Sequence, residues 1–88
     1  MPEREVKIIN KLGIHARPAA EIVKTAGKFK SDITIVRDEL EVNAKSIMGV
    51  MMLAAENGAT IALRAIGDDA EAALDALSAV IANKFGES

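Results

Sequence analysis

The 88-residue sequence predicts an α+β fold, an open-faced two-layer sandwich in which three helices cover one face of a four-stranded, mostly antiparallel sheet. In four short segments apolar residues alternate with polar ones, as in a strand with one buried face. In three others they recur every three or four residues, the spacing of an amphipathic helix. The resulting order is β-α-β-β-α-β-α. No linker or repeat interrupts it, so we expect a single domain over residues 1–88.

The first strand is predicted over residues 3–9, where Val6 and Ile8 alternate with charged residues. The first helix is predicted to begin near Ala16 and to stop near Gly27, because glycine favours helix ends. Its apolar positions have helical spacing: Ala19, Ala20, Ile22, Val23, Ala26 and Phe29.

The middle of the chain reads as a hairpin, a short helix and a fourth strand. Apolar residues at 33–36 and 40–42 flank a polar turn at 37–39, the pattern of two antiparallel strands. A short apolar helix is predicted over 47–54, and a strand over 60–66. That strand has one apolar face, formed by Ile61, Leu63 and Ala65.

The last helix is expected to begin with a capping box formed by Asp68 and Glu71. Lys84 is predicted in its last turn, where a cation is favourable, and Gly86 is predicted to terminate it. The apolar stripe of this helix consists of Ala73, Leu74, Leu77, Val80 and Ile81.

Composition argues against several function classes. The net charge is −2, there is no cysteine, and Phe29 and Phe85 are the only aromatic residues. Disulfides and zinc–thiolate sites are therefore excluded, and a nucleic-acid partner is not expected. No apolar stretch approaches the roughly 20 residues of a membrane span, and the charged N-terminal residues do not resemble a secretion signal. We expect a cytoplasmic protein that needs no metal or cofactor.

The start of the first helix breaks two local rules. Pro18 fits the first turn of a helix, which makes His15 the N-cap, although serine, threonine, aspartate or asparagine would cap better. Arg17 puts a cation at the positive end of the helix dipole. A phosphate would remedy both, by accepting hydrogen bonds from the N–H groups of Ala16 and Arg17 and from the guanidinium. His15 is the only histidine, and a neutral imidazole can attack phosphorus.

A second stretch, residues 43–53, holds a different pair of signals. Ser46 is a good N-cap for the short helix, and a phosphate would be tolerated there. The helix is apolar all round. If Val50 and Leu53 face the core, a surface patch suited to partner binding remains, formed by Ile47, Met48 and Met51.

Together these two stretches resemble the HPr family of the bacterial phosphoenolpyruvate-dependent phosphotransferase system. The resemblance covers essentially the whole chain, with residues 13–20 and 45–53 matching the family's two motifs at its spacing. It implies that His15 accepts a phosphoryl group on Nδ1 from phosphorylated enzyme I. Arg17 would stabilise that phosphate, and Ala16 and Pro18 would shape the helix start. The phosphoryl group would then pass to an EIIA-type domain in sugar uptake.

The resemblance also implies a docking surface and a regulatory site. Both partners would dock on Ile47, Met48 and Met51, with Ala16 and Ala20 completing the face. Ser46 would be phosphorylated by an ATP-dependent HPr kinase/phosphorylase, and that form would act with a transcriptional regulator. We expect a monomer, because a relay must dock and release quickly.

Several alternatives remain open from the sequence. A nitrogen-type regulatory phosphocarrier would look much the same, and residues such as Glu21 and Ala54 depart from the commonest family pattern. A binding-only regulator acting through Ser46 is a second alternative, and a small nucleic-acid-binding domain is a third. A hydrolase is disfavoured, because His15 has no carboxylate partner near it in the sequence.

Overall fold

The structure is a computed structural model that describes residues 2–87. Its elements follow the predicted order and end in a 3-10 turn, Lys84–Gly86. The sheet has the strand order β1-β4-β2-β3, and every neighbouring pair is antiparallel. The predicted open-faced sandwich is therefore confirmed. The strands are β1 (Glu3–Lys7), β2 (Asp32–Arg37), β3 (Leu40–Asn43) and β4 (Thr60–Ile66), and the helices are α1 (Ala16–Ala26), α2 (Ile47–Met52) and α3 (Ala70–Ala82).

The core lies between the sheet and the three helices. Strand β4 has the predicted bounds, and its predicted apolar face is buried at alternate positions, as one covered sheet face requires. Helix α1 buries Ala19 and Ile22 against this face, and α3 contributes Leu74 and Leu77. The predicted hairpin is also confirmed, with β2 and β3 paired across a turn in which Asp38 has a positive φ of 54°.

Two elements are shorter than predicted. Strand β1 ends at Lys7 instead of residue 9, although Ile8 still exchanges backbone hydrogen bonds with Gly58 and Ala59. Helix α2 ends at Met52 instead of residue 54, because Ala54 adopts a left-handed conformation with φ of 48°. The guanidinium of Arg37 donates to the carbonyl oxygens that this ending leaves free, at 3.1 Å to Leu53 and 2.8 Å to Ala54.

The predicted capping of α3 was wrong. The N-cap is Asp69 and not Asp68, and its side chain does not cap its own helix. Its carboxylate instead accepts hydrogen bonds from the backbone N–H groups of Lys30 and Ser31, at 2.8 and 2.9 Å. Lys84 lies beyond α3, in the 3-10 turn. Asp69 thus ties the start of α3 to the segment before β2.

No helix within residues 2–87 has both the length and the apolar character needed to cross a membrane.

Candidate functional site

The loop before α1 is held close to the segment after α2. Gly13 has a positive φ of 70°, and a Cβ atom there would lie 2.5 Å from the Ala55 carbonyl oxygen and 2.8 Å from the Glu56 Cα. No other residue fits this approach. The next N–H, that of Ile14, donates to the same Ala55 oxygen at 2.8 Å. Two consecutive residues therefore fix the backbone that presents His15.

His15 occupies the N-cap position of α1, as predicted, with extended backbone angles. Its side chain makes no capping hydrogen bond, and the imidazole side chain is 39% exposed. Within residues 2–87, the backbone N–H groups of Ala16 and Arg17 have no hydrogen-bond acceptor. An anion at this helix start would therefore meet two free donors together with the positive end of the helix dipole.

Arg17 lies in the first turn of α1, exposed and without an acidic residue beside it in that turn. Among the residues the structure describes, its guanidinium has no ion-pair partner. Pro18 follows it, buried against the core, and lacks an N–H that would need an acceptor. The four residues 15–18 therefore combine a ring nitrogen, two free amides and an unpaired cation at one helix end.

A carboxylate that sequence reasoning missed completes this site. Oε2 of Glu87 lies 3.0 Å from Nε2 of His15, and Oε1 of the same carboxylate accepts from the Asn10 amide at 3.0 Å. We expected no carboxylate partner for His15 because none lies near it in the sequence. The partner is Glu87, which lies 72 positions later in the chain. No local pattern could have revealed the pair.

A shallow recess of about 380 Å³ opens beside Glu87, the carboxylate that contacts the ring. Its walls are Lys11, Leu12, Arg17, Gly86 and Glu87. Leu12 is 71% exposed at its rim, a second feature that the sequence interpretation did not single out. A recess of similar size lies over β2 and β3, about 410 Å³, but no arginine lines it and neither His15 nor its partner Glu87 is part of it. The chemistry of the side chains, and not the volume, points to the first recess.

Helix α2 presents its apolar residues on both sides, as its composition indicated. Val50 and Leu53 are buried in the core, whereas Met48 is 74% exposed. Helix α1 packs against α2. All five residues of the predicted docking surface are exposed, and we call this set the docking face: Ala16, Ala20, Ile47, Met48 and Met51.

Ser46 caps α2 as predicted, since its Oγ accepts a hydrogen bond from the Gly49 N–H at 3.1 Å. It is half-buried and immediately precedes Ile47 of the docking face. Past the other end of the helix, Glu56 pairs with Arg37 at 2.6 Å. A hydrogen bond from its own backbone N–H, reinforced by Arg37, lowers the pKa of Glu56.

No group of three or more histidine or acidic side chains within residues 2–87 is arranged to bind a metal ion.

Comparison with known proteins gives consistent results. The chain matches the family model described as PTS HPr component phosphorylation site over residues 2–83. It is 53% identical over 87 residues to a phosphocarrier protein HPr from Cupriavidus necator, covering 99% of this chain and 98% of that protein. It is 46% identical over 86 residues to a phosphocarrier protein NPr from Shewanella violacea, with coverage of 98% and 94%.

Solved structures agree with these matches. A crystal structure of HPr from Thermoanaerobacter tengcongensis has a TM-score of 0.96 at 51% identity, covering 100% of this chain and 99% of that one. An HPr dimer from the same organism has a TM-score of 0.80 at 52% identity, with coverage of 99% and 100%.

Proposed function

Because this chain belongs to the HPr family of phosphocarrier proteins of the phosphotransferase system, we propose that His15 is the residue that carries its phosphoryl group. The observation that carries the proposal is the start of α1, where an exposed imidazole adjoins two free amides and an unpaired guanidinium. The proposed donor is phosphorylated enzyme I, and the proposed acceptor is an EIIA-type domain. The chain itself is a carrier and not a catalyst.

The proposed chemistry needs little beyond position and charge. Phosphoryl transfer depends mainly on alignment and on stabilisation of the phosphoryl oxygens. The N–H groups of Ala16 and Arg17 would donate to these oxygens, and the Arg17 guanidinium would offset their charge. Pro18 keeps the helix start fixed. A shallow site suits a residue that must be reached by one partner after another.

The direct test is phosphorylation by enzyme I and phosphoenolpyruvate, followed by mass spectrometry before and after mild acid. We expect the wild-type chain to gain one acid-labile phosphoryl group. The His15→Ala variant should gain none, whereas Ser46→Ala should still gain it, since the label is not on the serine. A wild-type chain that stays unmodified, or a label that survives in His15→Ala, would contradict the proposal.

The docking face is the proposed contact surface for both partners. Its methionines are exposed and adaptable, which suits a surface that must fit two different proteins. Met48→Glu should raise the KM for phosphorylation by enzyme I about tenfold, because it places a desolvated charge in an apolar interface. Ile66→Glu is the matched control, since Ile66 is also exposed but lies at the end of β4. Equal effects of the two changes would argue against the docking face.

Ser46 is the proposed regulatory site, phosphorylated by an HPr kinase/phosphorylase. A phosphate on its Oγ would add charge next to Ile47 and weaken docking without altering the fold, because anions are tolerated at a helix start. Ser46→Asp should therefore keep the cap of α2 and slow phosphorylation of His15. The phosphorylated form is also the one we expect a transcriptional regulator to bind.

We propose that the phosphoryl group carried by this chain is used in sugar uptake, since the relative with 53% identity is named HPr. The relative named NPr supports the nitrogen-type alternative. Competition between a sugar-type and a nitrogen-type EIIA domain for the phosphorylated chain separates the two. A binding-only regulator would gain no acid-labile phosphate from enzyme I and would pass none to an EIIA domain. We place the relay in the cytoplasm, where phosphoenolpyruvate is available.

We propose that the working form is a monomer. The alternative is a dimer, as in the similar HPr dimer structure from Thermoanaerobacter tengcongensis. Light scattering on the purified chain distinguishes a monomer from a dimer.

A further inference from the structure

The C-terminal segment is anchored so that Glu87 reaches the site at His15. Phe85 is buried, and the turn around it has positive φ values at Phe85 and at Gly86. The backbone N–H of Glu87 donates to the Lys84 carbonyl oxygen at 2.8 Å. The Glu87 side chain is only 15% exposed. Its carboxylate is therefore held by the fold and does not move freely in solvent.

Asn10 fixes which oxygen of Glu87 faces the imidazole. Its side chain is fully buried, and its Nδ2 donates to the Gly13 carbonyl oxygen at 2.7 Å and to Glu87 Oε1 at 3.0 Å. Both partners are acceptors, so the amide cannot be turned round without facing oxygen against oxygen. Because Oε1 is occupied by Asn10, it is Oε2 that lies 3.0 Å from Nε2 of His15.

The contact bears on which ring nitrogen of His15 carries the proton. Nε2 is covered from solvent and makes no well-aligned hydrogen bond, but Oε2 of Glu87 lies 3.0 Å from it. A nitrogen lone pair facing a carboxylate oxygen at this distance would be repelled, whereas an N–H is attracted. We propose that Glu87 is a positioning residue that keeps the proton of neutral His15 on Nε2, leaving the lone pair on Nδ1.

This inference rests on the proposed function, because it concerns the nitrogen that accepts the phosphoryl group. The Nδ1 lone pair forms the new N–P bond, while the bond from phosphorus to the donor protein breaks and its electron pair stays with the donor. The proton remains on Nε2 throughout, so the phosphorylated ring becomes cationic. The Glu87 carboxylate would then lie against that positive charge.

The charges around Glu87 leave its carboxylate free for this role. Lys11 and Arg17 line the same recess, but within residues 2–87 neither forms an ion pair with Glu87. The carboxylate therefore acts on His15 and Asn10, and its effect on the ring is not cancelled by a bound cation.

The test is a measurement of the His15 tautomer by long-range ¹⁵N–¹H NMR on the whole chain at about pH 9, where an imidazole is neutral. In Glu87→Gln, the amide oxygen should accept from Asn10, which turns the NH₂ group towards Nε2. We expect the ratio of the Nε2–H to the Nδ1–H form to fall about tenfold, because an attractive carboxylate oxygen is replaced by an NH₂ group that repels an N–H. Glu87→Ala should give a smaller fall, and the control Glu5→Gln should give none.

Phosphorylation by enzyme I gives the second readout. The initial rate for Glu87→Gln should fall by about the same factor as the tautomer ratio, and Glu5→Gln should match the wild type. An unchanged ratio in both Glu87 variants overturns the inference, and so does a changed ratio with an unchanged rate. A wild-type chain that is never phosphorylated would instead contradict the proposed function, and the NMR result would still stand by itself.

Discussion

The starts of α1 and α2 differ in whether a side chain accepts a hydrogen bond from the backbone N–H groups of the first turn. At α2, the Ser46 hydroxyl accepts a hydrogen bond from the Gly49 N–H, the usual way to complete a helix start. At α1, His15 makes no such bond, the first turn contains no acidic residue, and Arg17 adds a cation. One helix start supports the fold, and the other leaves its donors unsatisfied. This difference is the physical basis for the proposal that an anion completes the start of α1.

The unsatisfied start of α1 has an estimable cost. A missing cap costs about 1 kcal/mol, and a cation in the first turn costs up to about 1 kcal/mol more. Burial of Ala19 and Ile22 in the core keeps α1 folded regardless, since helices in proteins are stabilised mainly by packing. Stability given up at one helix end while packing is intact is typical of a functional site.

The largest expected effect comes from removing the unpaired cation. Arg17→Ala should lower the rate of phosphorylation by enzyme I roughly 10²-fold, because the phosphoryl oxygens lose a charge-assisted donor. The same change should raise the free energy of unfolding by a few tenths of a kcal/mol up to about 1 kcal/mol, because it relieves the repulsion at the helix dipole. Stopped-flow kinetics and urea unfolding measure the two effects.

Lys24→Ala is the matched control on the same helix. Lys24 lies in the last turn of α1, where a cation is favourable, so its removal should slightly lower stability and leave the rate unchanged. Opposite signs of the two stability changes would confirm the comparison. A loss of stability in Arg17→Ala would contradict it.

A smaller effect is expected at the satisfied helix start. Ser46→Ala should lower the free energy of unfolding by about 1 kcal/mol, because the Gly49 N–H loses its acceptor. Ser46→Asp should retain most of that stability, since aspartate also caps. Urea unfolding of the three chains checks the order, and an unchanged stability in Ser46→Ala would contradict the capping role of the hydroxyl.

The smallest effect concerns the start of α3, where the cap carboxylate serves another segment. Hydrogen bonds from Ser31 and from the backbone of Lys30 lower the pKa of Asp69 below its ordinary value of 3.8. A lowered pKa in the folded state stabilises the protein above that value, and the contribution is lost as pH falls through the folded pKa.

Asp69→Asn should therefore reduce stability at neutral pH and flatten its dependence on pH below about 4. Urea midpoints measured from about pH 7 to about pH 2 test this. An identical pH profile in the two chains would contradict the assigned role of Asp69.

Much of this molecule could be predicted from local patterns. Alternating apolar residues located β4 with its bounds, and Pro18 located the start of α1 and the position of His15. Apolar residues on all sides of α2 indicated that one sheet could not cover them all. In the structure Val50 is buried and Met48 is exposed. These features depend on residues close together in the chain.

The features that were missed depend on distant residues. Arg37 donates to the carbonyl oxygens left free at the end of α2, 16 and 17 positions away, and Asp69 bonds to Ser31, 38 positions before it. Glu87 lies against His15 at the end of a C-terminal turn whose Phe85 is buried in the core. Periodicity reports on faces of helices and strands, but it carries no information about which side chains meet across the fold.

The most direct test of the difference between the starts of α1 and α2 is an amide NMR spectrum of the chain with and without the phosphoryl group. We predict that phosphorylation moves the N–H signals of Ala16 and Arg17 far downfield, because these free donors gain a phosphate acceptor. The N–H of Gly49, already bonded to Ser46, should barely move. Equal small shifts at both helix starts would contradict the claim that the free N–H groups of α1 bind the phosphoryl group.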